Sequence, residues 1–257
     1  MQLFKRHLLA LLLLVIATMA LVAFACGDDE EGDGGEPTAT APAGGDLSDI
    51  PEDTTGITDT EIKLGSHLPL TGIAGIYGNA IAPSMQAYFS YVNDNEGGVN
   101  GRKITMLIED DAYEPPQTNT VVRKLVEQDG VFAMVSGLGT ATHSAVFEYL
   151  SNAKIPDMFI SSGATLFTDP VTRTAFGFNP NYVQEGTALG AYIVENFPGA
   201  KVGLLIQNDD FGKDGEKGVR AGLEGSDVEV VSVITYEAAQ TDMTSQVQNL
   251  QNAGATV

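Results

Sequence analysis

The chain has 257 residues, of which 43% are hydrophobic, enough for one large domain or two small ones with sizeable cores. Its formal net charge is -21 with only 13 lysines and arginines, which excludes nucleic acid as a partner because phosphate binding needs clustered cations. One cysteine excludes an intrachain disulfide. With only three histidines beside it, a zinc site rich in nitrogen and sulfur is not expected, and we predict no metal and no cofactor.

Residues 1–26 have the features of an export signal. Lys5 and Arg6 precede an apolar run from 8 to 25, and Cys26 follows Phe24 and Ala25. A positive start, an apolar middle and small residues before a break are typical of a secretory signal peptide. The cysteine resembles the end of a bacterial lipobox, where the thiol is lipidated, although Phe24 stands where a small residue is usual. An uncleaved anchor and plain secretion are the alternatives. All three place the remaining chain outside the cytoplasm, in the periplasm or at the outer face of the cell membrane.

Residues 27–56 are predicted to form a disordered tether. An acidic run over 28–36 is followed by a segment of proline, threonine, alanine and glycine over 37–45. Such a segment buries too little apolar surface to offset the entropy of ordering. The acidic run could instead bind calcium, but one-sign charge favours a solvated spacer above an anionic membrane.

From residue 61 onward, apolar strands alternate with amphipathic helices. Hydrophobic periodicity predicts strands over 62–68, 102–109, 131–135, 155–160, 176–178, 201–207 and 228–236, helices over 79–95, 117–128, 140–152, 182–196, 211–223 and 243–252, and the start of a further strand over 255–257. This alternation implies right-handed crossovers and a doubly wound parallel sheet. Two such runs meet near Asn179, which predicts an N-terminal lobe over 57–178 and a second lobe over 179–257. The second run has too few strands, so we expect that lobe to be incomplete.

Ligands of parallel sheets bind beyond the carboxyl ends of the strands, which directs attention to the loops at 69–77, 110–116, 136–140, 161–165 and 208–211. Motifs in and beside these loops are Ile62-Lys63-Leu64-Gly65, Pro69-Leu70-Thr71-Gly72, Tyr77-Gly78, Gly101-Arg102-Lys103-Ile104, Glu109-Asp110-Asp111-Ala112-Tyr113-Glu114-Pro115 and Asn208-Asp209-Asp210-Phe211-Gly212-Lys213-Asp214-Gly215. In this order, over residues 61–257, the set resembles type I periplasmic binding proteins, in particular the leucine/isoleucine/valine-binding group.

That resemblance implies an α/β fold of two lobes, each a doubly wound parallel sheet. It also implies the solute-binding component of an ABC importer, with a permease as partner and no catalysis, while the lipobox-like position of Cys26 implies a lipid anchor to the membrane. The expected ligand is a branched-chain amino acid or a related small polar solute. Relatives in the group also bind amides, urea, short peptides or aromatic acids. Two departures leave the ligand open: the 136–140 loop is rich in glycine where leucine binders have serines, and an insertion lies near Asp157 and Met158.

The resemblance further implies a set of ligand contacts. Thr140, at the start of the helix after the third strand, corresponds to the residue that receives the ligand carboxylate, where free N–H groups and the helix dipole favour an anion. The loop after the fourth strand corresponds to the ammonium site, through the carbonyl of Gly163 and the hydroxyl of Thr165. Aromatic and hinge-side candidates are Tyr77, Phe211, Tyr182 and Glu185. Each has a plainer interpretation: Thr140 as a helix N-cap, Thr165 as a loop polar residue, Tyr77 and Phe211 as packing residues.

Other polar residues admit two interpretations. His143, one turn into its helix, could touch ligand, but the sequence favours a surface histidine, and His67 is predicted to end a strand. Asp110 and Asp111 have the composition of an acid–base pair, yet the resemblance makes them a turn after a strand.

Two rival functions stay open at this point. One is a ligand-sensing ectodomain that reports amino acids or amides to a receptor. The other, less favoured, is an enzyme on a Rossmann-like sheet. Gly137 and Gly139 resemble a dinucleotide loop, but Thr142 occupies the place of the third glycine.

Overall fold

The computed structural model describes residues 53–257. The predicted signal peptide, Cys26 and nearly all of the predicted tether lie outside the described residues. Residues 53–56, expected to be part of the tether, belong instead to the folded unit: the Gly56 carbonyl accepts a 2.7 Å hydrogen bond from the Lys63 N–H. No helix in the 53–257 range is long and apolar enough to cross a membrane.

Seven strands and six α-helices alternate along the described chain. In order they are β1 (Glu61–Leu68), α1 (Gly75–Asn95), β2 (Lys103–Asp110), α2 (Pro115–Arg123), β3 (Ala133–Val135), α3 (Thr140–Asn152), β4 (Asp157–Ile160), β5 (Ala175–Gly177), α4 (Tyr182–Asn196), β6 (Lys201–Gln207), α5 (Asp210–Gly222), β7 (Glu229–Tyr236) and α6 (Thr244–Asn252). A π-helical turn, Lys124–Gln128, continues α2, and a 3₁₀ turn, Thr165–Phe167, follows β4.

The strands form two parallel sheets. The first has the order β2-β1-β3-β4-β5 and the second pairs β6 with β7. The predicted α/β fold with parallel sheets is therefore confirmed. At the expected strand start over 255–257, the Thr256 N–H donates to the Lys201 carbonyl and the Val257 carbonyl accepts from the Gly203 N–H. These bonds lie on β6, which already pairs with β7.

Apolar faces of the helices bury the core of each sheet. The first core lies between the five-stranded sheet and α2 and α3, and consists of Val122, Leu125, Val131, Met134, Val146 and Leu150. The second joins α4 and α5 to the two-stranded sheet through Ile193, Ala200, Val202, Val219, Leu223 and Val228. Removing this apolar area from water is the main favourable term for both lobes.

The largest error in the predicted boundaries is at α1, which begins at Gly75 rather than at residue 79. Pro83 inside the helix and Gly78 near its start both disfavour a helix locally. Tertiary packing outweighs this local preference, and the helix begins at Gly75. A Cβ at Gly78 would lie 2.0 Å from the Pro69 carbonyl oxygen, so the missing side chain lets the helix lie directly on the preceding loop.

β4 is shorter than predicted and irregular. Met158 pairs with Phe176 and Ile160 with Gly177, and Phe159 between them is left out of the register with φ of 58°. This β-bulge lies next to the place where the sequence predicts an insertion. It occurs immediately before the loop that carries Gly163 and Thr165.

Candidate functional site

A cavity of about 340 Å³ opens between the two sheets, at the carboxyl ends of their strands. Its lining comes from both lobes: Tyr113, Glu114, Pro115, Pro116 and Ala141 on one side, and Gln207, Asn208, Asp209, Glu237, Ala238 and Ala239 on the other. This volume suits a small molecule. A depression of about 490 Å³ near Arg220 and Val230 is larger, but its lining comes from the second lobe alone.

α3 begins at this cavity. Gly139, in the left-handed φ region at 108°, precedes Thr140, and Ala141, the second helical residue, lines the cavity wall. No side chain caps the helix, so the interpretation of Thr140 as an N-cap is wrong. The Thr140 side chain is buried, and its hydroxyl lies 2.7 Å from the Ser162 hydroxyl. The uncapped first turn presents N–H groups and a partial positive charge to this end of the cleft.

The loops after β3 and β4 are held together as one surface. The Ser161 N–H donates to the Gly137 carbonyl at 2.9 Å, and the hydroxyls of Ser136 and Ser161 lie 2.8 Å apart. The Thr140–Ser162 contact continues this pairing to the start of α3. These bonds bring the two predicted polar loops side by side.

Asp214 of α5, which sequence reasoning missed, reaches across to the first lobe. Its carboxylate accepts from the Thr165 N–H at 2.7 Å and from the Thr165 hydroxyl at 2.9 Å. The side chain is nearly buried. Asp214 lies three residues after Phe211, on the same helical face, and that spacing was the available signal.

Gly163, two residues before Thr165, occupies a position where only a glycine fits. A Cβ there would lie 2.3 Å from the Pro180 carbonyl oxygen and 2.9 Å from the Tyr182 ring. Its carbonyl accepts a 2.8 Å hydrogen bond from the Tyr182 N–H. The resemblance assigned this carbonyl to a ligand ammonium, and one of its two lone pairs is used within the protein.

Aromatic side chains border the same region. The rings of Tyr182 and Phe211 lie 4.7 Å apart between centroids, and Phe211 remains 39% exposed. Tyr77, 61% exposed, lies near Tyr236 of the second lobe. Burial raises the pKa of Tyr236, and the neighbouring Asp209 and Tyr77 add to this effect.

Tyr113 is a second residue that sequence reasoning did not place in the site. Its ring lies against Gly139, where a Cβ would be 2.5 Å from Cε2, and its hydroxyl accepts from the Gln207 amide at 3.4 Å. Burial raises the pKa of Tyr113, so its hydroxyl is neutral at physiological pH. A backbone φ of 64° turns this residue into the cleft, and periodicity does not reveal such a turn.

The acid–base interpretation of Asp110 and Asp111 loses its support here. Partial burial opposes ionisation of Asp110, but the Thr71 hydroxyl and N–H groups of Ala112, Thr71 and Leu70 outweigh it and hold its pKa below the usual value. Asp110 thus fixes the turn after β1. Asp111 is fully buried and bonds to His67.

The prediction of a surface position for His143 is wrong. His143 is 0% exposed and lies against the ring of Phe167, with centroids 5.0 Å apart. Its ring nitrogens contact His67 and Asp157, so the cost of burying a polar ring is offset by hydrogen bonds. Helical periodicity could not show this, because the partners of His143 lie on the strands β1 and β4.

Comparison with known proteins agrees with this architecture. The family model described as "Periplasmic binding protein" matches residues 61–257. The chain belongs to the periplasmic binding protein family. The resemblance to the type I, leucine/isoleucine/valine-binding group is thereby confirmed. This chain is 27% identical over 200 residues to a Leu/Ile/Val-binding protein homolog 1 of Brucella abortus, and the match covers 77% of this chain and 53% of that protein.

Two further relatives differ in what their names say they bind. An amino acid binding protein of Pseudomonas aeruginosa is 27% identical over 197 residues, covering 77% of this chain and 52% of the relative. The structure of a fatty acid ABC transporter substrate-binding protein from Thermomonospora curvata superposes with a TM-score of 0.69 at 26% identity, covering 78% of this chain and 51% of that one. The periplasmic binding protein described here thus spans about half the length of these relatives.

Proposed function

We propose that this periplasmic binding protein captures an amino acid, or a related small solute with a charged amine, for an ABC importer. The observation that carries the proposal is the pairing of unlike polar groups across one cavity. The uncapped start of α3, whose Ala141 lines the cavity, lies on the first lobe, and the carboxylates of Asp209 and Glu237 approach from the second. A zwitterion carries one charge suited to the start of α3 and one suited to these carboxylates.

The charge of the lining favours an amine over a purely anionic ligand. Three carboxylate side chains, Glu114, Asp209 and Glu237, line the cavity, and its lining contains no lysine or arginine. A fatty acid or an aromatic acid would place its own carboxylate among these three carboxylates. An ammonium group would instead form charge-assisted hydrogen bonds, each contributing roughly 1.5–3 kcal/mol.

Capture requires the lobes to close on the ligand. In this proposal the carboxylate docks first at Thr140 and the α3 N-terminus, and the ammonium at the 163–165 loop and Asp214. Tyr77, Tyr182 and Phe211 then cover the apolar part of the ligand as the lobes rotate about the hinge. Loaded and empty forms would present different faces to the permease.

A thermal-shift and calorimetry panel on the purified protein tests the proposal. L-leucine, L-isoleucine or L-valine is expected to raise the melting temperature. Leucinamide, which lacks the carboxylate, N-acetyl-leucine, which lacks the ammonium, and decanoate are expected to bind much more weakly. Stabilisation by decanoate without any response to amino acids would overturn the proposed ligand class.

Thr140→Val tests the carboxylate site within that panel. We expect it to raise the Kd of the best ligand at least tenfold, because one hydrogen bond to a charged group is lost while side-chain volume is kept. Ser144→Ala is the matched control, since the Ser144 hydroxyl bonds only to the Thr140 carbonyl of the same helix, at 2.6 Å. An unchanged Kd in Thr140→Val, with circular dichroism showing a folded protein, would remove Thr140 from the site.

The membrane anchor is a separate part of the proposal. Cys26 lies outside the described residues, and its position after Ala25 supports lipidation. Cys26→Ser is expected to move the exported protein from the membrane fraction to the soluble fraction, measured by detergent phase partitioning. Membrane association retained by the variant would point instead to an uncleaved apolar segment.

A further inference from the structure

Four ionisable side chains form an unbroken buried chain beneath the ligand loops. Asp111 Oδ2 lies 2.8 Å from His67 Nδ1, His67 Nε2 lies 2.9 Å from His143 Nδ1, and His143 Nε2 lies 2.7 Å from Asp157 Oδ2. None of the four is more than 1% exposed. They come from the end of β1, the turn after β2, the first turn of α3 and the start of β4, so the chain ties together four elements of the first lobe.

Three hydrogen bonds require three protons. Two carboxylates and two neutral imidazoles together supply only two, one on each ring. With two protons, one of the three contacts would place two lone pairs 2.7–2.9 Å apart in a buried environment, which is costly. The geometry therefore points to a third proton and a net charge of -1 on the chain.

The surroundings locate this proton at one end. Burial lowers the pKa of His67, and His143 acts in the same direction, although the hydrogen bond to Asp111 opposes them, so His67 stays neutral. Asp111 also accepts hydrogen bonds from the Tyr113 N–H and the Thr118 hydroxyl, so both of its carboxylate oxygens have donors. Asp157 has no such support, because its Oδ1 atom is buried without a partner.

The loop after β3 lies directly on this chain. A Cβ at Gly137 would be 2.4 Å from His67 Nε2 and 2.9 Å from His143 Nδ1, so the backbone of Gly137 packs on the bond between the two rings. His143 lies three residues after Thr140, in the first turn of α3. Any shift of the rings must move this loop, which leads into α3, and Ala141 of α3 lines the cavity.

We propose that a proton shared between His143 and Asp157 locks the start of α3 beneath the ligand loop and makes the first lobe and its ligand affinity sensitive to alkaline pH. The part that concerns affinity rests on the proposed function, and the part that concerns the fold does not. The ionisable group in contact with the two residues is His67 of β1, which in turn bonds to Asp111 after β2. Phe147 and Phe167, which also pack on His143, do not titrate.

The sign of the pH effect follows from the proton count. An unfolded histidine loses its proton near pH 6.5, whereas the folded chain keeps one. Above about pH 6.5 the folded chain therefore holds one proton more than the unfolded chain, and the stabilisation that this proton provides is lost as pH rises until the folded chain releases it. Between these limits the folding equilibrium constant is expected to fall about tenfold per pH unit.

The variant Asp157→Asn removes the need for the third proton but keeps a hydrogen bond to His143. The asparagine amide can donate to His143 Nε2, so three hydrogen bonds remain with two ring protons. We expect urea unfolding between pH 7 and 9 to show the ratio of wild-type to variant folding constants falling about tenfold per unit at first, because groups common to both proteins cancel. A ratio that stays flat over this range would overturn the third proton.

Nuclear magnetic resonance of the wild-type protein gives a test that does not depend on the variant folding. The sequence has three histidines, of which His7 belongs to the predicted signal peptide, so ring signals are easily assigned. Three exchange-protected, low-field protons are expected at pH 7, against two if the proposal is wrong. The long-range nitrogen couplings then show on which side of the His143–Asp157 bond the third proton lies.

Ligand titration separates the two parts of the proposal. For the best ligand of the panel, the wild-type Kd is expected to rise between pH 7 and 9 more than the Asp157→Asn Kd does. Equal pH profiles, together with a confirmed third proton, would overturn the link to affinity. If no panel ligand binds at all, the proposed function fails, while the unfolding and resonance results still decide the proton.

Discussion

Replacement of His143 by leucine is expected to lower the free energy of unfolding of this periplasmic binding protein by about 3–5 kcal/mol. Leucine fills much of the volume between Phe147 and Phe167, so cavity formation contributes little. The loss comes from Asp157 and from His67 Nε2, which keep their buried positions but lose their partner. Urea unfolding at pH 7 measures the change.

The double variant His143→Leu with Asp157→Leu distinguishes this cause from loss of packing. Replacing both partners of a buried polar pair by apolar groups removes the uncompensated charge, so the double variant should be more stable than His143→Leu alone. A double variant less stable than the single one by the full cost of Asp157→Leu would show that the two residues act independently. The buried chain would then not be the source of the loss.

Gly218→Ala is expected to lower the free energy of unfolding by about 1–3 kcal/mol through overpacking. α4 and α5 approach each other along four glycines, Gly186 and Gly190 on one helix and Gly218 and Gly222 on the other. A Cβ at Gly218 would lie 2.3 Å from the Val183 carbonyl oxygen and 2.8 Å from the Gly186 Cα. Both atoms belong to the backbone, so the helices must separate to admit the methyl group.

Gly215→Ala, on the same helix, is the matched control. A Cβ at Gly215 has open space around it, so the substitution should raise stability by up to about 1 kcal/mol through helix propensity alone. Opposite signs for Gly215→Ala and Gly218→Ala in urea unfolding would establish the close packing of α4 on α5. Equal stabilisation by both alanines would contradict it.

The local sequence pattern was sufficient to predict much of the fold. The bounds of α3 and α4 were predicted from their apolar spacing, and Asn181, whose side chain accepts from the Gln184 N–H, caps the start of α4. Strands with apolar runs, such as β6 and β7, were also predicted closely. Their alternation with helices was enough to predict parallel sheets, because a parallel connection needs a crossover.

The candidate site was predicted only in part. The sequence indicated the loops of Thr140 and Thr165, and the structure shows these loops side by side. It did not indicate that Asp214 binds Thr165 from 49 residues away, nor that Tyr113, in the indicated 110–116 loop, faces Gln207 across the cleft. Such contacts depend on how the lobes meet, and local spacing carries no information about that.

By itself, the sequence determined the order of strands and helices, the parallel connection between them and the family to which they belong, since each depends on residues that are neighbours along the chain. Only the tertiary structure decided which polar residues are buried and which residues they bond to. His67, His143, Asp111 and Asp157 are separated by 14 to 76 residues along their chain of bonds, and no helical or strand period distinguishes them from surface residues. They are buried because folding brings each one a partner, and a charged or polar group tolerates burial only with such a partner.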